Sequence, residues 1–537
     1  MNKWRPCLGF FSAGASTSAL AFALVLLASQ VRAFSLLGPY ADWMDVTNAF
    51  RQSGDIGGPM DIKEGYRWNV PTVTYGFDQS FLDYFGSNGV FAVEAAIQIL
   101  NDLPHASASV FTNFPYSSIR ENPTAGAQGL YDLKSATLWA LVEQLGLAQP
   151  IRYMFSLKRW DPSLEAFVYP GSGPPWPSGI VPNYILERNY DPKTLVATNA
   201  INGIDFSSYV LYYELGANGI PPFADVIEIQ IDPLSIVSAV ADSSLANMYG
   251  MGGKFYRGLT YDDVAGLLFL LSTNNLNVET LLPKVHATTT NGAFINAALR
   301  PGVDKITFIP HPFDTALRTF LQTTNHFTDT FVINGQVSQQ QLERVISQPD
   351  FLFCAGDNGK DSSQTSVIAR TGATNWINNA ALNGGTSQFG PGVILPPIRI
   401  MFHRVGPIVI SQEPSPESNA LIMAQQWGSF DGSTNIPISF PSVDSETGSF
   451  LGFRLRLYRA PYLDVPLGNY TWQLPVGVGG AAILQTSTNI SDWIPLMTVT
   501  NNGAIIEWFH YGVSGERRFF RVVPQTGISS SSERVSR

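Results

Sequence analysis

Two segments place an imidazole and a carboxylate three residues apart and follow them with threonine: His311-Pro-Phe-Asp314-Thr and His326-Phe-Thr-Asp329-Thr. Imidazole nitrogen and carboxylate oxygen together suit a transition metal, so the two segments make a metal site if the fold joins them. If it does not, each aspartate is a local cap in a turn at a strand end. The other histidines, His105, His286, His403 and His510, have no second ligand at metal spacing. The chain has no GxSxG elbow, phosphate-binding glycine loop or CxxC pair. Asp262 and Asp263 are adjacent carboxylates, but they open a helix, where the dipole favours acids, rather than flank a sugar. Trp176 and Trp376 have rings suited to stacking on a sugar, and such rings are also ordinary scattered surface aromatics.

Several elements must position these groups. Asp132 to Pro150 reads as one buried helix, with Leu138, Leu141, Val142, Leu145 and Leu147 near helical spacing. Ser135 or Thr137 starts it, and Gly146 ends it before Pro150. Tyr66 to Phe77 alternates like a strand, with Pro71 at an edge or start. Asn88-Gly89 then makes a turn, and Val90 to Leu103 an amphipathic helix stopped by Pro104. Phe34 to Gly65 is an irregular lead-in, and Arg152 to Lys158 a strand. A third helix opens at Thr260, a natural N-cap, with Val264, Leu267, Leu268 and Leu271 on its apolar face. Strands are expected at Ile306 to Ile309, Phe331 to Ile333 and Ile398 to Phe402, a helix at Ser338 to Ser347, and a long loop or lid over Asp357 to Gly392.

Three blocks, in this order, resemble the matrixin branch of the metzincin zinc peptidases. Trp68-Asn-Val-Pro-Thr-Val-Thr-Tyr, followed by Val93-Glu-Ala-Ala-Ile-Gln-Ile-Leu, looks like that domain's first strand and first helix. Leu138 to Leu147 looks like the active-site helix, and Asn247-Met248-Tyr249-Gly250 with Gly258-Leu-Thr-Tyr-Asp-Asp-Val-Ala-Gly-Leu like the Met-turn and closing helix. The resemblance covers roughly Tyr66 to Leu271. It implies HExxHxxGxxH chemistry, two helix histidines and a third ligand on zinc with a glutamate base. Aligning Gly146 with the motif's glycine places Trp139 and Glu143 on the two helix histidines, Ala140 on the glutamate and Gln149 on the third ligand. Of these only Glu143 offers a good ligand oxygen; as an ordinary residue it is a solvated or hydrogen-bonded carboxylate. Further on, Leu484-Gln-Thr-Ser-Thr-Asn-Ile-Ser-Asp-Trp-Ile-Pro-Leu and Arg517-Arg-Phe-Phe-Arg-Val-Val-Pro are similar to a β-sandwich at the C-terminus of many large secreted bacterial proteins.

Lys3 and Arg5, the apolar run Ala19 to Leu27 and Val31-Arg32-Ala33 form a secretory leader cleaved after Ala33. Cleavage removes Lys3, Arg5 and Arg32 and takes the formal charge from −10 to −13, an acidic balance that argues against nucleic acid as a partner. Cys7 leaves with the leader, so Cys354 has no intrachain disulfide partner and reads as a buried structural thiol. The expected fold is α+β: a leader over 1–33, a metzincin-like domain over 34–275, a β-rich middle over 276–440, a C-terminal β-sandwich over 441–527 and a disordered tail over 528–537. The expected function is that of a secreted protein with a non-catalytic peptidase-like fold, acting in binding or as a surface component and needing no cofactor. Its partner would be an extracellular protein or a polysaccharide. Two alternatives stand beside it: a secreted hydrolase holding zinc through unorthodox ligands, with Glu143, His311 and His326 as candidates, and a carbohydrate-binding surface protein.

Overall fold

Phe351–Gly356 is apolar on both faces, and its buried Phe351, Phe353 and Cys354 mark it as a strand covered on two sides. It is the centre of the main sheet in the computed structural model. The structure describes residues 33–51, 56–158, 185–213, 223–232, 234, 252–288, 293–314, 317–356, 368–370, 376–384, 390–403, 426–440, 452–459, 462–472, 481–487, 492–500, 505–512 and 519–524. The expected leader apart from Ala33, the Met-turn residues 247–250, Trp176 and the tail lie outside them.

The chain is α+β. Three sheets and three helices position the candidate groups. The strands are β1 Phe34–Gly38, β2 Gly58–Met60, β3 Thr72–Phe77, β4 Leu147–Ala148, β5 Asn189–Tyr190, β6 Asn277–Thr280, β7 Val285–Ala287, β8 Ala297–Arg300, β9 Thr307–Pro310, β10 Thr323–Ile333, β11 Gln336–Ile346, β12 Phe351–Gly356, β13 Ile368–Arg370 and β14 Ile398–His403. The helices are α1 Gln79–Asn101, α2 Leu133–Gln144 and α3 Tyr261–Leu271.

The main sheet has the order β9-β3-β12-β14-β13, the first four strands parallel and β13 antiparallel at the edge. Parallel neighbours need long crossovers, and α1 is part of the one that leaves β3. Phe81, Phe85, Val93, Ile97 and Leu100 of α1 are buried in the core that also takes Phe353 and Phe402. Strands from both sides of position 275 share this sheet, and one buried cluster runs from Phe34 to Phe440. A second sheet, β6-β8-β10-β11-β7, is antiparallel throughout. A third joins β1 to β2, β4 and β5.

Several local expectations need correction. Gln336–Ile346 is a strand, not the helix expected over Ser338 to Ser347; Asn334 and Gly335 have φ of 51° and 74° and turn β10 into β11. Both left-handed residues suit the tight hairpin turn that matches strand twist. Asn88-Gly89 is not a turn: α1 starts at Gln79, where the Asp78 carboxylate accepts the Phe81 N–H at 3.0 Å, and its break is at Gly86, with φ 57°. Phe34–Gly38 is a fully buried strand rather than an irregular lead-in. Tyr66 to Phe77 is two strands, Tyr66–Arg67 and β3. Of Arg152 to Lys158 only Phe155–Leu157 is strand, after a short helix Pro150–Met154.

Candidate functional site

The helix α2 is the first place to look. Asp132, not Ser135 or Thr137, caps it, accepting the Ser135 N–H at 2.9 Å. Burial pushes the Asp132 carboxyl up, against the pull of Lys134 and Ser135. The helix has no solvent face in its second half: Trp139 is 1% exposed, Ala140 is 0% and Glu143 is 2%. It ends as expected at Gly146, whose φ is 110°. Gln149, also buried, caps the short helix after it without a side-chain bond. The Trp68 indole donates to the Gln144 carbonyl at 3.0 Å, tying α2 to the chain entering β3.

The structure does not join the two His-x-x-Asp segments. His311 follows β9 on the main sheet, and its N–H donates to the Tyr75 carbonyl at 2.7 Å. Its ring is buried against Phe320. Burial pushes its pKa down, opposed by the Leu321 backbone and the Asp350 charge. Asp314 accepts the Leu317 N–H at 2.9 Å, a local cap. His326 is exposed on β10, in the second sheet, and Asp329 is held by Arg300 at 2.9 Å and 3.0 Å.

Strand register produces a row that sequence spacing concealed. His326 lies opposite Glu343 on β11, and Glu343 lies opposite His286 on β7. Partners in register share a face, so two imidazoles flank one carboxylate there. Among the described residues no three His, Cys, Asp or Glu side chains converge on a metal position. Cys354 is buried, its sulfur accepting from Arg399 Nε at 2.9 Å, and burial pushes the thiol up. Trp376 packs edge-on to Tyr66, with ring centroids 5.2 Å apart.

A groove of about 470 Å³ opens between the chain entering β3 and the outer side of β10. Leu276, Val303, Phe327, Val332 and Val337 give it apolar walls, and Asn69, Asp304 and Thr328 add polar atoms. Asn69 Nδ2 donates to the Thr280 carbonyl at 2.9 Å, while its Oδ1 has no partner. Burial would raise the Asp304 carboxyl, but the Ser107 N–H at 2.7 Å, its hydroxyl at 3.0 Å and His105 at 2.9 Å outweigh that and hold it below its ordinary value. Asp304 therefore brings one carboxylate to the groove, engaged by Ser107 and His105. Arg300 and Asp329 form its buried base, linked onward to Gln340 at 2.7 Å. Nothing in the sequence pointed to this groove, because its walls come from segments near 70, 300 and 330.

Among the described residues no helix is long and apolar enough to cross a membrane. Compared with protein-family models, curated proteins and solved structures, the chain gives no match.

Proposed function

We propose that this chain is a secreted protein with a peptidase-like scaffold that works by binding rather than by catalysis. The observation that carries the reading is the burial of Trp139 and Ala140 in α2. Under the metzincin resemblance these are the positions of a metal ligand and the proton-accepting base. An indole cannot ligate zinc, a methyl group cannot accept a proton, and water has no access to either side chain. Activity needs convergent polar groups with at least one base; the groove beside β10 has apolar walls and few polar atoms, its carboxylate Asp304 already engaged by Ser107 and His105, the usual make-up of a binding site.

A second reading, a secreted hydrolase with unorthodox zinc ligands, draws on the row His326, Glu343 and His286. Two imidazoles and a carboxylate are a donor set that leaves zinc an open position. One experiment separates the two: metal content of the purified protein without added zinc and after mild chelator washing, with hydrolysis of denatured casein measured in parallel. The binding reading expects neither zinc nor hydrolysis. Near-stoichiometric zinc, lost in His326→Ala, Glu343→Ala or His286→Ala together with chelator-sensitive hydrolysis, would establish the second.

A further inference from the structure

The hairpin β10–β11 is long, and its other neighbour is short. β10 pairs with β11 over its whole length, from Thr323↔Ile346 to Ile333↔Gln336. On its other side it meets β8 only at Leu299↔Val332. In an antiparallel hairpin closed by a two-residue turn, the pair flanking the turn exchanges both backbone bonds, and every second pair does so after it. Ile333, Phe331, Asp329, Phe327 and Asn325 thus spend their N–H and C=O groups on β11. Val332, Thr330, Thr328, His326 and Thr324 turn theirs the other way. Val332 meets Leu299. No described strand pairs with the remaining four, and Thr328 and Thr330 line the groove.

An open edge of this kind is a template for another strand, and proteins that do not use one usually blunt it with lysine, proline or a bulge. Thr324 to Thr330 contains none of these, and its one inward-facing charge, Asp329, is already neutralised by Arg300. The edge is about 20 Å long at strand spacing. It adjoins the apolar walls at Leu276, Val303 and Val337, of which Leu276 is 47% and Val337 71% exposed. A strand laid there would turn alternate side chains onto those walls and the rest to water. The chain's net charge of −10 and the carboxylate of Asp304 disfavour acidic side chains on the occupant.

We propose that the open edge of β10 binds an extended segment of a partner polypeptide as an added strand, one that alternates apolar and polar residues and carries no acidic side chain. This rests on the binding function proposed above and gives it a place and a ligand class. Recognition of this kind takes affinity from main-chain bonds and specificity from pockets for alternate side chains.

The test uses the full chain and a capped, fluorescent heptapeptide, Thr-Val-Thr-Val-Thr-Val-Thr, read by anisotropy up to millimolar concentration. Two further forms are N-methylated on all valines or on all threonines. In a strand these sets face opposite edges, so one form should lose binding and the other keep it. Thr328→Pro removes one outward N–H without touching the β11 ladder, and should weaken the parent peptide about tenfold with the melting temperature preserved. No binding of the parent peptide, or equal behaviour of the two methylated forms, would overturn the proposal, and the methylation comparison stands even if the proline variant fails to fold. A concentration-dependent dimer abolished by Thr328→Pro would give the edge to a second copy of this chain and also overturn it. Mass spectrometry of the recovered peptide separates the two levels: cleavage defeats the non-catalytic reading, while an intact, unbound peptide defeats only the edge-binding one.

Discussion

Arg67 Nε and a Glu279 carboxylate oxygen lie 2.7 Å apart with side chains 1% and 0% exposed, joining the chain before β3 to β6 across 212 positions of sequence. Burial pushes the Glu279 carboxyl up, and Arg67 and then Arg300 oppose it. The guanidinium also donates to the carbonyls of Leu270, Asn275 and Arg300. Removing one partner strands a buried charge, which costs about 3–5 kcal/mol. Arg67→Ala should therefore lose stability on that scale in urea unfolding. A loss near that of an exposed pair, about 1 kcal/mol or less, would mean the pair is hydrated.

Gly146 and Gly129 both have positive φ, 110° and 65°, but only Gly146 is crowded: a Cβ there would come 2.2 Å from the Tyr66 carbonyl oxygen, whereas at Gly129 nothing lies within 4 Å. Left-handed backbone alone costs an L residue about 1–2 kcal/mol. Gly129→Ala should lose about that much in thermal melting, and Gly146→Ala distinctly more, because α2 must also shift. Equal losses would show that the close approach of α2 to the strand entry is not rigid.

Trp139 is a packing residue if the binding function is right. Truncating a buried tryptophan to alanine costs about 3–5 kcal/mol, so Trp139→Ala should unfold at clearly lower denaturant, with Trp139→Phe in between. A Trp139→Ala protein as stable as its parent would mean that the indole fills no essential space, and the case for a plugged α2 would fail.

What could be read from the sequence was local. Thr260 was recognisable as a cap, and in the structure the Asp263 carboxylate accepts its N–H at 2.8 Å. The edge strand β9 and the inner strand β14 were expected close to where they lie, whereas the apolar run that becomes β12 was read only as the setting of a buried thiol, because a short apolar run does not by itself distinguish strand from helix. The misses occurred where tertiary pairing overrides propensity. Gln339, Gln340, Gln341, Leu342 and Glu343 are all good helix formers, yet pairing with β10 holds them extended. The partners of β3 are more than 200 residues away in the chain, and no local pattern announces such a contact. The candidate site suffered most for that reason. Both the groove and the row His326, Glu343 and His286 depend on which strands lie side by side.

His311 gives a stability test whose sign can be worked out in advance. Its pKa is pushed below 6.5 by burial, with the Leu321 backbone and the charge of Asp350 opposing, and Arg344 already neutralises Asp350. Between the folded value and 6.5 the unfolded chain therefore binds the proton that the folded chain refuses. Stability rises with pH wherever the unfolded state holds more protons. The contribution of His311 is thus complete above about pH 6.5, its ordinary value, and declines as the pH falls through that window. His311→Gln has no such proton, so urea unfolding should show the difference between parent and variant shifting against the parent as the pH falls from about 7.5 through the ordinary imidazole value of about 6.5. Parallel curves for the two proteins would mean that the imidazole beside Phe320 is hydrated or hydrogen-bonded in solution.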